Sequence, residues 1–329
     1  MIFVDTRYLT RAAMAASLAT ALSLSCAYAA PAADDAEAQA QEAWRDSIVQ
    51  SDVPGEGCAY AAYPSTEWLK VPCAEAANVP AVPRINAVQG TVGNGTGDYI
   101  AAVSSGFISR TMGSFPKFET TGEEDGGTAN SYSLQLNTNG FHSALCDGAA
   151  VPADCSAVAQ FVLGPGEGFF EYWLDNWNTS PCPSGWNAYP SSTEWCYVAS
   201  PAVLIPAEPA SAVLETVKVS ATAKARGLDR LIVTVGTEAY TTSDKDKVLD
   251  LATNWTESEF NIFGDCCGSE AVFNSGTSIK VRVGVTNGTT NAPNCVASSL
   301  TIETNNLTVG KICTAKGGTT PFIEFSESN

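Results

Sequence analysis

From about Gly57 to the end of the chain, apolar positions recur every second residue, not every third or fourth. Tyr132, Leu134 and Leu136 alternate with Ser133, Gln135 and Asn137. Val217, Val219, Ala221 and Ala223 alternate with Lys218, Ser220, Thr222 and Lys224, and Leu231, Val233 and Val235 form another apolar row. Ile279, Val281, Val283 and Val285 alternate with polar or basic residues before Asn287-Gly288, a favoured hairpin turn. Phe169 to Trp177 and Trp255 to Phe263 are longer, aromatic runs, and Leu300 and Ile302 lead into Thr304-Asn305-Asn306. Side chains two apart share a face of a strand, so this period predicts half-buried strands. Many strands with Gly, Asn and Pro turns and little helical period predict an all-β, two-sheet antiparallel β-sandwich with disulfide-closed loops.

The first part of the chain has a different texture. Residues 1–29 carry Arg7 and Arg11, then an apolar stretch from about Ala12 to Leu24, then Ala27-Tyr28-Ala29, the small-x-small pattern of a cleavable signal peptide. The apolar stretch is too short for a stable bilayer anchor. Cys26 allows lipidation as an alternative, but Ser23 stands where a lipoprotein signal normally has Leu. The expected location is therefore secreted, periplasmic or extracellular, with no membrane insertion. Residues 30–56 are rich in Ala, Glu, Gln and Asp and read as a flexible or short helical lead-in. Residues 57–329 form the expected sandwich domain. The Pro/Ala stretch from Pro201 to Ala210 suits an interdomain linker or a long connection within one sandwich.

Cysteine usage agrees with export. Ten of the 11 cysteines lie beyond the signal segment and fall into close sequence pairs. The pairs are Cys58–Cys73, Cys146–Cys155, Cys182–Cys196 and Cys295–Cys313, with Cys266 and Cys267 left as a vicinal pair. Two similar stretches, Ala62-Tyr63-Pro64-Ser65-Thr66-Glu67-Trp68 and Ala188-Tyr189-Pro190-Ser191-Ser192-Thr193-Glu194-Trp195, each lie inside one of these loops. No C-x-x-C spacing occurs and His142 is the single histidine, so neither a metal nor another cofactor is expected. Asn94, Asn178, Asn254, Asn287 and Asn306 stand in Asn-x-Ser/Thr sequences, which matter only in a eukaryotic secretory route.

The chain carries 17 basic and 35 acidic residues, a formal charge of −18. Such a balance disfavours nucleic acid and anionic membranes as partners, and it suits solubility outside the cell or work at low pH. Catalysis through a Ser-His-Asp arrangement would need His142, and nothing near it resembles a nucleophile elbow. Bridged cysteines offer no nucleophile. Carboxylates remain for acid–base work.

Three predicted strands carry an unusual polar face: Ser133, Gln135 and Asn137; Phe169, Glu171, Trp173, Asp175 and Trp177; and Trp255, Glu257, Glu259, Asn261 and Phe263. The opposite faces carry core-type residues such as Leu134, Phe170, Leu174, Phe260 and Ile262. Side by side, the polar faces would form a surface of rings and carboxylates suited to a glycan or an extended peptide. Glu171, Trp173, Asp175, Trp177, Trp255 and Asn261 are its candidate ligand-binding residues. The bland alternative puts the rings in the core and the acids at strand ends in water. Glycoside hydrolysis by two of Glu171, Glu257 and Glu259 is a loose fit, because the E-x-D-x-E strand common in retaining sandwich glucanases is absent.

The order of Leu134-Gln135 in a polar-faced strand, then Phe170-Glu171-Tyr172-Trp173, then a late Trp/Glu strand resembles the glutamic peptidases, or eqolisins. That resemblance implies a concanavalin-like jelly roll and an acid endopeptidase. It implies that Gln135 orients water and the tetrahedral intermediate, that Glu259 or Glu257 is the general base, and that Trp173 and Trp255 line the cleft. The late motif departs from the family, since Trp255 precedes Glu257 by two residues where the family has Glu directly before Trp. Three functions therefore stand as expectations: a secreted protein binding a glycan or extended peptide without catalysis, an acid-acting glutamic endopeptidase, or a structural, surface-associated protein.

Overall fold

The structure is a computed structural model and describes residues 33–53, 55–77, 80–84, 98–103, 106–120, 132–189, 194–206 and 211–329. The expected signal segment, residues 1–29, lies outside the described residues.

One long helix, α1 (Ala33–Ile48), precedes the strands. In chain order these are β1 (Cys58–Ala62), β2 (Leu69–Val71), β3 (Asp98–Ala102), β4 (Arg110–Glu119), β5 (Tyr132–Thr138), β6 (Ser156–Gly164) and β7 (Glu167–Asp175). Then come β8 (Asn187–Tyr189), β9 (Trp195–Ala199), β10 (Val203–Leu204), β11 (Lys218–Thr222), β12 (Leu228–Val235), β13 (Glu238–Lys245) and β14 (Glu257–Gly264). The last are β15 (Glu270–Ala271), β16 (Ser278–Thr286), β17 (Asn294–Ser298), β18 (Thr304–Asn305), β19 (Thr308–Val309), β20 (Thr314–Lys316) and β21 (Phe322–Ser328).

Two sheets form a sandwich, as the alternation predicts. The ten-stranded sheet runs β19-β21-β16-β4-β11-β12-β13-β1-β2, with β20 also on β21. The nine-stranded sheet runs β17-β3-β14-β5-β6-β7-β9-β8, with β10 also on β7. Between them lies the main core, with Leu134, Phe161, Phe170 and Phe260 meeting Phe115, Val219, Val233 and Val281. Gly113 on β4 permits the closest approach, because a Cβ there would lie 2.0 Å from the ring of Phe260. Of the Pro/Ala stretch after Ser200, residues 207–210 lie outside the described ones; β10, within it, pairs in one sheet and β11, after it, in the other.

The lead-in is a helix, and it is docked. Ala, Glu and Gln favour the helical state, and Trp44 and Ile48, four apart, share its apolar face. That face buries against Ala61, Ile232 and Ala239 on the outside of the ten-stranded sheet. Lys218 extends from the same sheet to Glu42 at 2.6 Å and also meets Asp46, while Arg45 donates to the carbonyl of Gly236 at 2.9 Å.

All five expected cysteine pairs are bridged, including the vicinal Cys266–Cys267. Such bridges suit an oxidising compartment. The likeness of 62–68 to 188–195 falls inside two of the closed loops, with residues 190–193 outside the described ones. His142 lies in an exposed loop, 3.5 Å from Asp147.

Candidate functional site

The outer face of the nine-stranded sheet carries the polar residues that the alternation singles out. Strand register sets four of them in one transverse row: Glu259 of β14 opposite Asn137 of β5, Asn137 opposite Gln160 of β6, and Gln160 opposite Glu171 of β7. A carboxyl thus stands at each end of two amides. Gln135 lies one pair further along, opposite Asn261. Hydrogen bonds knit the row together. The Nδ2 of Asn137 donates to Glu259 Oε2 at 2.8 Å and to Gln135 Oε1 at 3.4 Å. Gln160 Nε2 donates to the same Gln135 oxygen at 3.5 Å, and Gln135 Nε2 donates to Ser133 Oγ at 3.0 Å. Gln135 and Glu259 are therefore joined through a single nitrogen, Nδ2 of Asn137. By contrast, three strand spacings put Glu259 and Glu171 roughly 14 Å apart along the row. That is too far for the paired carboxyls of a glycosidase.

Every member of this network is buried. Gln135, Asn137, Gln160, Glu259 and Asn261 are 0% exposed, and Glu171 and Asp98 are 1% exposed. Burial pushes the Glu259 carboxyl up; the neighbouring Asp98 carboxyl and hydrogen bonds from Asn137 and the Leu300 amide oppose the shift. Burial, with the charge of Glu259 beside it, pushes Asp98 well up, so the two acids are suited to sharing a proton. Burial pushes Glu171 well up too, with Glu303 adding to it while the Ala81 backbone and the Trp173 indole pull the other way. Both oxygens of Glu259 accept hydrogen bonds from N–H donors, Asn137 Nδ2 and the Leu300 amide.

The chain itself forms the cover. Residues 80–84 and 299–303 run antiparallel over the row, with a bridge between Pro83 and Thr301. Arg84 N donates to Leu300 O at 2.8 Å and Ile302 N to Val82 O at 2.9 Å. One carboxylate below, Glu259, takes a backbone amide of this cover, and Glu303, within the cover, takes another from the facing segment. Leu300 N donates to Glu259 Oε1 at 3.0 Å, and Val82 N to Glu303 Oε1 at 2.9 Å. Apolar residues of the cover press on the aromatic part of the face: Val82 packs with Val158, Trp173 and Tyr197, and Ala81 with Val162 and Phe169. Asn137 Oδ1, Gln160 Oε1 and Asp98 Oδ1 remain buried without a hydrogen-bond partner beneath it.

The structure places the sequence-predicted residues unequally. Gln135, Glu259, Asn261, Glu171 and Trp173 share the polar face, as the alternation requires. Asn261 donates to Glu327 at 2.7 Å and to Asp98 at 3.2 Å. Trp173 is fully buried, stacked on Tyr197 at 5.0 Å and edge-on to Tyr189 and Trp195, so it presents no open platform. Asp175 ends its strand, nearly buried, with its carboxyl raised by burial and held by the Asn176 side chain at 3.1 Å. Glu257 is half-buried at the start of β14, and burial raises its carboxyl.

Two tryptophans need correction. Trp255 belongs to the core between the sheets, stacked on Phe161 at 6.1 Å, with its indole donating to the Glu257 carbonyl at 2.8 Å. It precedes β14 by two residues, and alternation carries no information outside a strand. Trp177 also joins the core. Asn176, with φ of 54°, breaks the extended backbone just before it, so the period of two ends at Asp175.

Sequence reasoning missed Asp98, Gln160, Glu303 and the cover. Gln160 left a trace, as the one polar residue within the apolar run from Ala157 to Leu163. The others are contributed by distant parts of the chain.

No protein-family model matches the chain, and no curated protein matches it. Among solved structures, it is similar to a crystal structure of scytalido-glutamic peptidase with a peptide-based transition state analog. Identity there is 16%, coverage 70% of this chain and 96% of that one, and the TM-score 0.28. A second structure of that peptidase, with a transition state analog inhibitor, gives 14%, 76%, 99% and 0.29 for the same quantities. SCP-B, a member of the eqolisin family of peptidases in a complex with the tripeptide Ala-Ile-His, gives 13%, 70%, 96% and 0.27. What the chain shares with these peptidases is a weak resemblance of fold.

Proposed function

We propose that the outer face of the nine-stranded sheet handles extended peptide, and that the chain is an acid-acting endopeptidase of the Gln/Glu kind, latent while its own segments occupy the cleft. The observation that carries this reading is the hydrogen bond from the Leu300 backbone amide to Glu259 Oε1, made by an extended segment lying across the Gln135–Asn137–Glu259 network. A substrate backbone in the same place meets the same groups.

The chemistry follows from the atoms present. With the cover displaced, Glu259 regains water and its carboxyl falls back towards the ordinary range, where its ionised form takes a proton from water. The water oxygen bonds to the scissile carbonyl carbon. The Gln135 amide donates to the oxygen that becomes negative. The carbon–nitrogen bond then breaks, and the proton held by Glu259 goes to the leaving amine. With the cover in place the carboxyl is buried and both its oxygens are engaged by Asn137 and Leu300, so the closed form has no space for water or substrate there.

The test is cleavage of denatured casein across about pH 3 to 5, comparing the wild-type chain with Glu259→Gln and Gln135→Ala. Loss of cleavage in both variants is expected, with unchanged far-ultraviolet circular dichroism. No cleavage by the wild-type chain, even after prolonged acid incubation, removes the proposal, as does cleavage that the variants leave intact.

Complete burial of the face favours the second reading, a non-catalytic exported sandwich whose buried acids serve the fold. For glycan binding, Trp173, Trp177 and Trp255 supply no exposed ring.

A further inference from the structure

On the opposite side of the molecule, the outside of the ten-stranded sheet, is a concentration of positive charge that neither the fold nor the proposed peptidase uses. Arg110 of β4 and Arg230 of β12 both pair with Thr222 of β11, one from each side. Their Cα atoms are therefore roughly 10 Å apart in one row, with the Thr222 hydroxyl between them. Lys224 and Arg226, on the turn joining β11 to β12, add two more cations at the rim. Together these residues line a cleft of about 630 Å³ beside the turn that follows α1. Asp52 is the one acid among the lining residues, so the cleft holds four cations against one anion in a chain of net charge −18.

The arginines have donors to spare. Arg230 is 9% exposed; its Nη2 donates to the Gly55 carbonyl at 2.8 Å, while its Nη1 is buried without a partner. Arg110 Nε is likewise buried and unpartnered. None of the four cations makes an ion pair within 4.0 Å among the described residues. Burial holds both guanidinium groups below their usual range and the field of Asp52 opposes it, which is the response of cations that lack a close counter-charge. Guanidinium forks match the geometry of oxyanions and keep their charge when partly dried. Arg226, the rim cation, sits at φ of 59°, a backbone conformation that non-glycine residues adopt at a cost.

We propose that this cleft binds a small phosphate or sulfate monoester, whose tetrahedral oxyanion sits over Thr222 between Arg110 and Arg230. Two forks and a hydroxyl supply donors to three oxygens. The volume, within the usual range of small-molecule sites, leaves room for a sugar-sized body towards Lys224 and Arg226. Asp52, which forms no ion pair with these cations, is the one charge in the cleft that repels the ligand.

Calorimetric titration of the native chain at fixed ionic strength tests this, with glucose 6-phosphate, glucose 6-sulfate, inorganic phosphate and inorganic sulfate as probes. Saturable one-site binding is expected, weakened about tenfold or more in Arg110→Gln, tightened in Asp52→Asn, and unchanged in Lys311→Gln, a surface cation elsewhere. A preference for an ester over its free anion supports the sugar-sized body, and the phosphate and sulfate arms identify the anion. Should Arg230→Gln fail to fold, the double variant Lys224→Gln/Arg226→Gln, at exposed positions, carries the same expectation of weaker binding. Absence of saturable binding to every probe overturns the proposal, and so does weakening by Lys311→Gln equal to that by Arg110→Gln.

Discussion

A buried acid on this protein is tuned by where its side chain ends, and Glu327 shows the consequence for stability. It is 1% exposed and accepts from Asn261 at 2.7 Å and Asn305 at 3.5 Å. Burial raises its carboxyl from 4.5 to about 7, the two amides opposing and the charge of Glu259 adding to the rise. A folded-state value above the unfolded one means that the native state binds more protons between the two. Its contribution is fully present below about pH 4.5 and is lost as the pH rises to about 7, by an amount on the order of 3 kcal/mol. Glu259, Asp98, Glu171 and Glu303 are raised as well and slope the same way. Denaturant midpoints are therefore expected to fall between pH 4.5 and 7 in the wild-type chain, and less steeply in Glu327→Gln. A midpoint that rises with pH over that window would show that these carboxyls are ionised in the fold.

Among the elements, the cover over the nine-stranded sheet is the one whose state decides function. Backbone hydrogen bonds and the Val82–Glu303 contact tie 80–84 to 299–303, and the Leu300–Glu259 contact with the packing of Val82 and Ile302 near Trp173 holds the pair down. Unpartnered polar atoms beneath it show incomplete complementarity, and such groups favour an alternative in which water or another chain meets them. Val82→Asp places a charge against Trp173 and is expected to loosen the cover without touching the core between the sheets. Hydrogen exchange of the segment 299–303 should rise at least tenfold, and casein cleavage in acid should rise with it. Unchanged exchange in this variant would mean that the cover is an inseparable part of the sandwich, and latency would then have no physical basis. The helix α1 is the contrasting case, an element that Trp44, Ile48 and the Lys218 ion pairs fasten to the opposite sheet.

For the molecule as a whole, the bridges and the charge set the conditions of stability. Cys58–Cys73, Cys182–Cys196 and Cys295–Cys313 close segments separated by 15, 14 and 18 residues. The chain-entropy model assigns each about 3 kcal/mol. The ten cysteines are expected to resist thiol labelling until the denatured protein is reduced, and reduction is expected to lower the urea midpoint sharply. Labelling of the unreduced, unfolded chain would contradict the pairing. The surplus of acids, −18 overall, weakens as carboxyls protonate, so relief of self-repulsion and the raised buried acids both favour the fold in mild acid.

The period of two determined the sandwich and the side of each strand that faces inward, because pleat geometry depends on neighbours in sequence alone. For the same reason Gln135, Glu171, Trp173, Glu259 and Asn261 fall on a common face. Close sequence spacing determined the cysteine pairs, since short loops bring their ends together at low entropic cost. Trp177 and Trp255 were misplaced because each lies just outside its strand, where one left-handed residue or one turn resets the direction of the side chain. Only the tertiary structure decided that the polar face is closed. Its cover joins residues more than two hundred positions apart, and whether a carboxyl meets water, a substrate or its own chain is a property of that long-range contact, on which local pattern carries no information.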